Sequence, residues 1–411
     1  MDRRGFLQTT ATAAIASATG SMLASAGPPT ARKRIAAIST TYHVRSHSDN
    51  IITRLLEGFW INDEYYPALC DVASLFVEQE HPADISTRLS QSWGFPKFKT
   101  IRDALTLGGK DLAVDGVVIV GEHGDYPTNV KNQVLYPRHR FMEEVVKVFR
   151  SSGRSVPVFN DKHLSYDWVQ AKQMYDWSRE LKFPMLAGSS LPVTFRRPEL
   201  DFPLNTPLEE AMGVGGGWVG DGGLFHILET MQCFAERRRG GETGVKSVQL
   251  LTDEAVWKAA DEGRWSRKLL DAALSRGLNV TPGAVEKVVK RPVACLIEYR
   301  DGFRGTALAL GGKTGDFLAA VQIKGDPDPK STCCYIPSEN SNNFSKMVHA
   351  IGIMMHNHAR CYPVERTLLT SGALSFLMDS WYQGQVRIET PMLGISYQAP
   401  QDSFYAHGMG S

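Results

Sequence analysis

The segment Val156-Pro157-Val158-Phe159-Asn160-Asp161-Lys162-His163 runs from apolar residues straight into polar ones. The apolar run reads as a buried strand. The helical pattern that follows, over residues 166–181, puts Asp161, Lys162 and His163 at the strand's carboxyl end, where open α/β sheets bind ligands. A carboxylate, an amine and an imidazole at such a place suit acid–base chemistry. A second cluster has the same character: Glu122, His123 and Asp125 close the apolar strand 115–120, and His43 and His47 follow the strand 34–39. In a parallel sheet whose first, fourth and fifth strands are neighbours, His43, His47, Glu122, His123, Asp125, Asp161 and His163 converge on one crevice. Such a set suits either a divalent metal or a cleft that hydrogen-bonds sugar hydroxyls; its spacing matches no metal signature, and no metal is assigned.

The elements that must hold these side chains alternate between strand and helix. Strand 34–39 precedes a helical pattern carrying Ile51, Ile52, Leu55 and Leu56. Residues 71–78 form a second strand, followed by a helix with Ile85 and Leu89 that stops at Trp93-Gly94-Phe95-Pro96, then by the segment 101–107. The helix 138–152 shows Phe141, Met142, Val145, Val146 and Phe149 on one side, and 184–188 is a further strand. About five β-α units in about 160 residues predict a Rossmann-like, doubly wound α/β nucleotide-binding domain over residues 27–190. Beyond Leu191-Pro192 the rhythm changes to strands at 294–299, 304–310 and 317–324, the first two joined by a hairpin at Asp301-Gly302, with a last helix at 366–382 and short strands at 386–388 and 395–397. Residues 191–397 therefore read as an α+β substrate and oligomerisation domain with one large open antiparallel or mixed sheet, exposed on one face, and 398–411 as a tail. The glycines from Gly213 to Gly217 read as a flexible turn, and Trp168, Tyr175 and Trp177 as packing on one amphipathic helix.

Residues 1–26 read as a signal peptide. Arg3-Arg4-Gly5-Phe6-Leu7 is a twin-arginine pattern, and Ala24-Ser25-Ala26 is an A-x-A cleavage site after an Ala/Ser/Thr-rich stretch. The expectation is export by the twin-arginine machinery to the periplasm or beyond, already folded, which permits a cofactor loaded in the cytoplasm. The 45 basic residues balance 44 acidic ones, which argues against nucleic acid or an anionic membrane as partner. No run of about 20 apolar residues is present, so no membrane association is expected after processing. The cysteines Cys70, Cys233, Cys295, Cys333, Cys334 and Cys361 show no C-x-x-C spacing, and packing as small apolar residues is their expected use.

Over most of residues 34–397 the chain resembles the Gfo/Idh/MocA sugar oxidoreductases. Their catalytic lysine lies in a Glu-Lys-Pro strand end, which Asp161-Lys162-His163 resembles, with Leu164-Ser165 and a helix following as in the family. A second family motif, Asp-x-Gly-x-His followed by an apolar pair and an acid, is similar to the run from Asp221 through Gly222, Gly223 and His226 to Glu229, with Asp221 five residues before His226 where the family has four. The resemblance implies hydride transfer between NAD or NADP and a sugar or polyol, with Lys162, His226 and Asp221 as the catalytic set, and a homo-oligomer formed through the open sheet. Oxidising a hydroxyl sends a hydride to nicotinamide and a proton to a base. Lys162 and His226 would handle that proton, since a desolvated lysine beside a cationic ring can act near neutral pH.

The first turn departs from the pattern. A dinucleotide fold uses G-x-G-x-x-G there so that the backbone can approach the pyrophosphate, yet no glycine occurs between Gly27 and Gly58. A cofactor would then rest on Thr40, Thr41 and Arg45 for its phosphates and on Glu78 for a ribose hydroxyl. Glu122 and His123 stand where the family has a small turn against the nicotinamide. Two other readings compete: a cofactor-free or metal-dependent lyase, hydratase or hydrolase using the 122–125 and 161–163 clusters, and a non-catalytic sugar-binding protein.

Overall fold

Six short apolar strands form the first sheet: β1 (Lys33–Ser39), β2 (Cys70–Val77), β3 (Lys97–Phe98), β4 (Gly116–Val120), β5 (Val158–Asp161) and β6 (Met185–Gly188). The computed structural model describes residues 32–337 and 341–408, so the signal-peptide pattern of residues 1–26 lies outside it. The spatial order is β3-β2-β1-β4-β5-β6, and every neighbouring pair is parallel. All residues of β4 and β5 are buried, as parallel strands covered on both faces require. Strand order reverses between β1 and β4, which opens a crevice at their carboxyl ends. This is the doubly wound arrangement that the alternation predicts.

One face of the sheet packs on α1 (Arg138–Ser152), through Phe141, Met142, Val145, Val146 and Phe149, and on α2 (Trp168–Glu180). Asp167 caps α2 by accepting the Gln170 N–H at 3.0 Å. The other face meets a short connection after β1, one π-turn (Asp49–Thr53) and one helical turn (Arg54–Glu57). Ile51, Ile52, Leu55 and Leu56 are buried there as expected.

After β6 the chain builds an eight-stranded sheet from β7 (Phe195–Arg197), β8 (Leu208–Gly215), β9 (Val245–Thr252), β10 (Val293–Tyr299), β11 (Arg304–Ala309), β12 (Phe317–Ile323), β13 (Lys330–Tyr335) and β14 (Ile388–Glu389). Its order is β14-β9-β10-β11-β8-β12-β13-β7; β8 and β11 run parallel and the other neighbours antiparallel. Helix α3 (Asp221–Ala235) lies on one face of it. Helix α4 (Asn343–Asn357) instead returns to the first sheet, where Met347, Val348, Ile351, Met354 and Met355 join Ile35, Ala37 and Val118 in one core. It covers the face that the short connection after β1 cannot. Helix α5 (Val364–Tyr382) packs against both α2 and α3.

Three sequence expectations are corrected. Gly213 and Gly215 belong to β8, not to a flexible turn: alternate residues of that strand face opposite ways, and the glycines face α3. A Cβ on Gly213 would lie 2.6 Å from the Ile227 carbonyl oxygen and 3.1 Å from Met231 Cβ, so the missing side chains let α3 seat against the sheet. The sheet's second face is not bare: the helices Glu254–Asp261 and Arg267–Leu274 put Val256, Leu269 and Leu270 on Met212, Val214 and Leu318. Helices of eight residues leave little periodic trace. Residues 395–397 form no strand; Tyr397 makes a single bridge to Glu242. All six cysteines are free thiols, five of them buried, in keeping with the packing role. Among the described residues no helix is long and apolar enough to cross a membrane.

Because the contact at Gly213 is with backbone, Gly213→Val should force α3 off the sheet. Overpacking of this kind costs about 1–3 kcal/mol. Gly223→Ala, at a position with open space around its Cβ, is the control. A thermal-unfolding midpoint that falls in the first variant only is the expected result; equal midpoints would refute the seating role.

Candidate active site

The centre of the crevice is a buried charge cluster at the carboxyl ends of β4 and β5. Lys162 Nζ lies 2.7 Å from Glu122 Oε1, and the Arg138 guanidinium, at the start of α1, holds the other carboxylate oxygen. Arg138 is fully buried, and Glu122 and Lys162 are 7% and 6% exposed. Burial opposes ionisation of Glu122, but Lys162, Arg138 and His47 outweigh it and hold the carboxyl well below the usual range. Arg138 Nη1 also lies 3.1 Å from His163 Nε2. A guanidinium only donates, so that nitrogen accepts and His163 is neutral, its pKa lowered by burial and by Arg138. The 3.6 Å between His163 Nε2 and Asp221 Oδ2 is too long for a hydrogen bond.

Lys162 is held in place by its backbone. Its φ is 62°, in the left-handed region, and its N–H donates to the Gly188 carbonyl of β6 at 3.0 Å. Arg45 (φ 66°) and His123 (φ 67°) share that conformation, so the turns after β1, β4 and β5 each carry a non-glycine residue in a sparsely populated region. Strain of about 1–3 kcal/mol per residue persists where a site over-determines the backbone.

Four imidazoles line one wall. His43 stacks on His81 with ring centroids 4.1 Å apart, and His43 and His47 lie 5.8 and 5.3 Å from His123. His47 Nδ1 is 2.7 Å from Asp161 Oδ2. Burial and the neighbouring His47 push His123 down to about 4, so it is neutral near pH 7, and its Nε2 has no hydrogen-bond partner. Asp125 is exposed, and its backbone is tied to the Gln79 side chain at 2.8 and 3.0 Å. Among the described residues no group of three or more His, Cys, Asp or Glu is placed to hold a metal ion.

The opposite wall is α3. A Cβ on Gly222 would lie 3.8 Å from Lys162 Nζ, and His226, four residues on, shares the face of the helix that Gly222 presents. His226 is partly exposed, its ring 5.5 Å from that of Phe317 and its Nδ1 without a partner. Desolvation, with Lys162 and His47 nearby, pushes its pKa well down. Asp221 is buried at the first residue of α3, where the helix dipole favours a carboxylate, and its Oδ2 is likewise unpartnered. Glu229 anchors the helix by accepting the Ser189 backbone N–H at 3.0 Å and its hydroxyl at 2.5 Å. Burial raises the Glu229 carboxyl to about 7.

The cofactor candidates divide. Thr40 Oγ1 donates to the Glu122 carbonyl at 2.6 Å and ties the first turn to the fourth-strand loop, whereas Thr41 Oγ1 is buried with no partner. Arg45 is exposed on the same turn. The helix end that would ordinarily receive a pyrophosphate is capped from within: Asp49 Oδ2 accepts the Arg45 N–H at 2.8 Å, and Ser46 Oγ accepts the Asp49 N–H at 3.2 Å. Glu78 is paired with Arg140 and with the Tyr126 hydroxyl, both at 2.6 Å, and borders a cleft of about 590 Å³ at the ends of β2 and β3 that Glu80, Thr87 and Lys97 also line. Glu122, engaged by two cations, is a partner of Lys162 rather than a free ligand. A dinucleotide here would have to be held by side chains, Thr41 and Arg45 at the phosphates and the Glu78 cleft at the ribose, because the first turn offers neither glycine backbone nor an uncapped helix end. Sequence reading missed Arg138, which as the first residue of a helix looks like a solvated cation, and His81.

No family sequence model and no curated protein sequence matches the chain. Solved structures share its fold at low identity. GenD2 from gentamicin A biosynthesis, in complex with NAD, is 13% identical with a TM-score of 0.52, the match covering 87% of this chain and 96% of that one. Apo scyllo-inositol dehydrogenase from Lactobacillus casei is 10% identical with a TM-score of 0.50, over 87% and 98%. Myo-inositol 2-dehydrogenase from Lactobacillus plantarum is 10% identical with a TM-score of 0.50, over 87% and 99%. At these identities the fold is what is shared: a parallel Rossmann-like sheet followed by a large mixed sheet, the fold class that the resemblance implied.

Proposed function

We propose that the chain is an exported oxidoreductase that acts on a hydroxyl of a sugar or polyol with NAD(P). The observation that carries this is Lys162: buried, held in a strained backbone conformation, ion-paired, and set against the helix that bears His226. A substrate hydroxyl between the two would accept from Lys162 Nζ and donate to the unpartnered His226 Nδ1, so that the imidazole takes the proton while the ammonium steadies the developing alkoxide. NAD(P), when bound, supplies the hydride acceptor; Thr41, Arg45 and Glu78 would hold it. Asp221, whose Oδ2 lies 3.6 Å from His163 Nε2, would act on the His163 side of the site from the start of α3. Export rests on the Arg3-Arg4 pattern and the Ala24-Ser25-Ala26 site.

The test is to purify the protein from the cytoplasm, denature it, and weigh the released small molecules, then to follow reduced nicotinamide with a panel of sugars and inositols. Released or required dinucleotide with hydroxyl oxidation is expected. Neither dinucleotide binding nor oxidation would overturn the reading. In the same host, a chain with Arg3→Lys and Arg4→Lys should stay in the cytoplasm; unchanged export would remove the twin-arginine assignment alone.

A further inference from the structure

Oxidising one hydroxyl releases one proton, and the Lys162–His226 side of the crevice accounts for it. A second proton-handling pair stands beside it that this reaction leaves idle. His47 Nδ1 is 2.7 Å from Asp161 Oδ2, the carboxylate fully buried and the imidazole 15% exposed. The carboxylate accepts, so Nδ1 carries the hydrogen and the free lone pair sits on Nε2. A buried carboxylate that fixes the tautomer of a partly exposed imidazole is how an oriented general base is made. The pair is built over a distance: His47 lies in the turn after β1, Asp161 ends β5, and β4 runs between them. The rings of His123 and Phe344, at 5.3 and 5.2 Å, wall His47 in. Glu122 precedes His123 directly in the chain and Lys162 follows Asp161, so the pair stands beside the Lys162–Glu122 ion pair.

We propose that this site also removes the proton from a carbon next to a carbonyl, with His47 as the catalytic base, Asp161 as its positioning residue and Lys162 as the cation beside the oxygen. The substrate class is the keto form of a sugar or polyol, and for that class alone the inference rests on the function proposed above. In the step, the C–H bond breaks and its proton goes to His47 Nε2. The C–H electron pair forms the carbon–carbon double bond of an enolate, and the carbonyl π pair moves to the oxygen next to Lys162 Nζ. Return of a proton from His47 to the same carbon restores the ketone, with solvent hydrogen incorporated if the imidazole has exchanged. No oxidant or reductant is consumed.

The experiment is hydrogen–deuterium exchange in D2O, followed by NMR at the carbons flanking the carbonyl of 2-keto-inositol and of ketohexoses, with purified protein and no added dinucleotide. Protein-dependent exchange is expected. His47→Ala and Asp161→Asn should each slow it by about 10²–10⁴-fold, the range of a general base. Added imidazole should restore exchange in His47→Ala, and Asp161→Asn should lower kcat with KM unchanged; a merely structural role would give neither result. Asp161→Asn keeps the side-chain volume and carries the test should His47→Ala fail to fold. Exchange no faster than without protein, or undiminished in Asp161→Asn, overturns the inference. Exchange without any dinucleotide-linked oxidation would overturn the oxidoreductase reading and leave this one standing, whereas oxidation without exchange would do the reverse.

Discussion

Lys162→Ala is expected to lower turnover of a sugar or polyol by about 10²–10⁴-fold, the span of a positioned proton-transfer group, while the protein still unfolds cooperatively. The first half follows from where Nζ lies, between Glu122 and the first turn of α3. The second follows from what remains after truncation: Glu122 keeps Arg138, so its carboxylate is not left without a counter-charge. Lys162→Gly refines the test. Both variants lose the amine, but only glycine is at ease at a φ of 62°, so the glycine variant should be the more stable by about 1–2 kcal/mol. Steady-state kinetics and thermal unfolding on the two variants together separate the amine's role from the backbone's. Retained turnover in both would remove Lys162 from the mechanism. Equal stability would show that the left-handed conformation is not strained.

What could be read in advance followed from physical periodicity. Buried parallel strands are continuous apolar runs, so β1, β2, β4, β5 and β6 announced themselves and with them the crevice at their carboxyl ends. Lys162 was visible for the same reason, as a charge directly after such a run. The convergence of His43, His47, Glu122, His123, Asp161 and His163 came from topology, once β1, β4 and β5 were taken as neighbours. What stayed hidden depends on partners distant in sequence. Arg138 is an arginine among helix residues until Glu122, 16 residues earlier, and His163, 25 later, are seen on either side of it. Gly213 and Gly215 looked like a flexible turn because a glycine that admits a helix and a glycine that permits a turn are the same residue; only Ile227 on α3 distinguishes them. Helix α4 covers the first sheet from far along the chain, and its amphipathic pattern does not say which sheet it will meet.

Removal of the Glu122 carboxylate is expected to cost more stability than any other single change at the site. Glu122→Ala would leave Lys162 and Arg138 close together and buried without the anion that separates them. Loss of one partner from a buried ion pair typically costs about 3–5 kcal/mol, because an uncompensated charge remains in a poorly solvated place. Arg138 would keep the His163 nitrogen and the Tyr136 ring, neither of them an anion, and Lys162 would lose its carboxylate at 2.7 Å. Glu122→Ala combined with Lys162→Ala should be less destabilised than the sum of the two, since the second change removes one of the stranded cations. The pH dependence has a definite sign. The Glu122 carboxyl is held below its ordinary value in the folded protein, so its contribution is fully present above the ordinary glutamate value of about 4.3 and is lost as pH falls through the folded one. Glu122→Gln should therefore be destabilised by a constant amount at neutral pH, and its gap from the native protein should close only in acid, below about pH 4. Denaturant unfolding from neutral to acid pH measures both. A gap that stayed the same down to the acid limit would mean that the carboxylate is not what holds the two cations, and a variant as stable as the native protein at neutral pH would mean that water does.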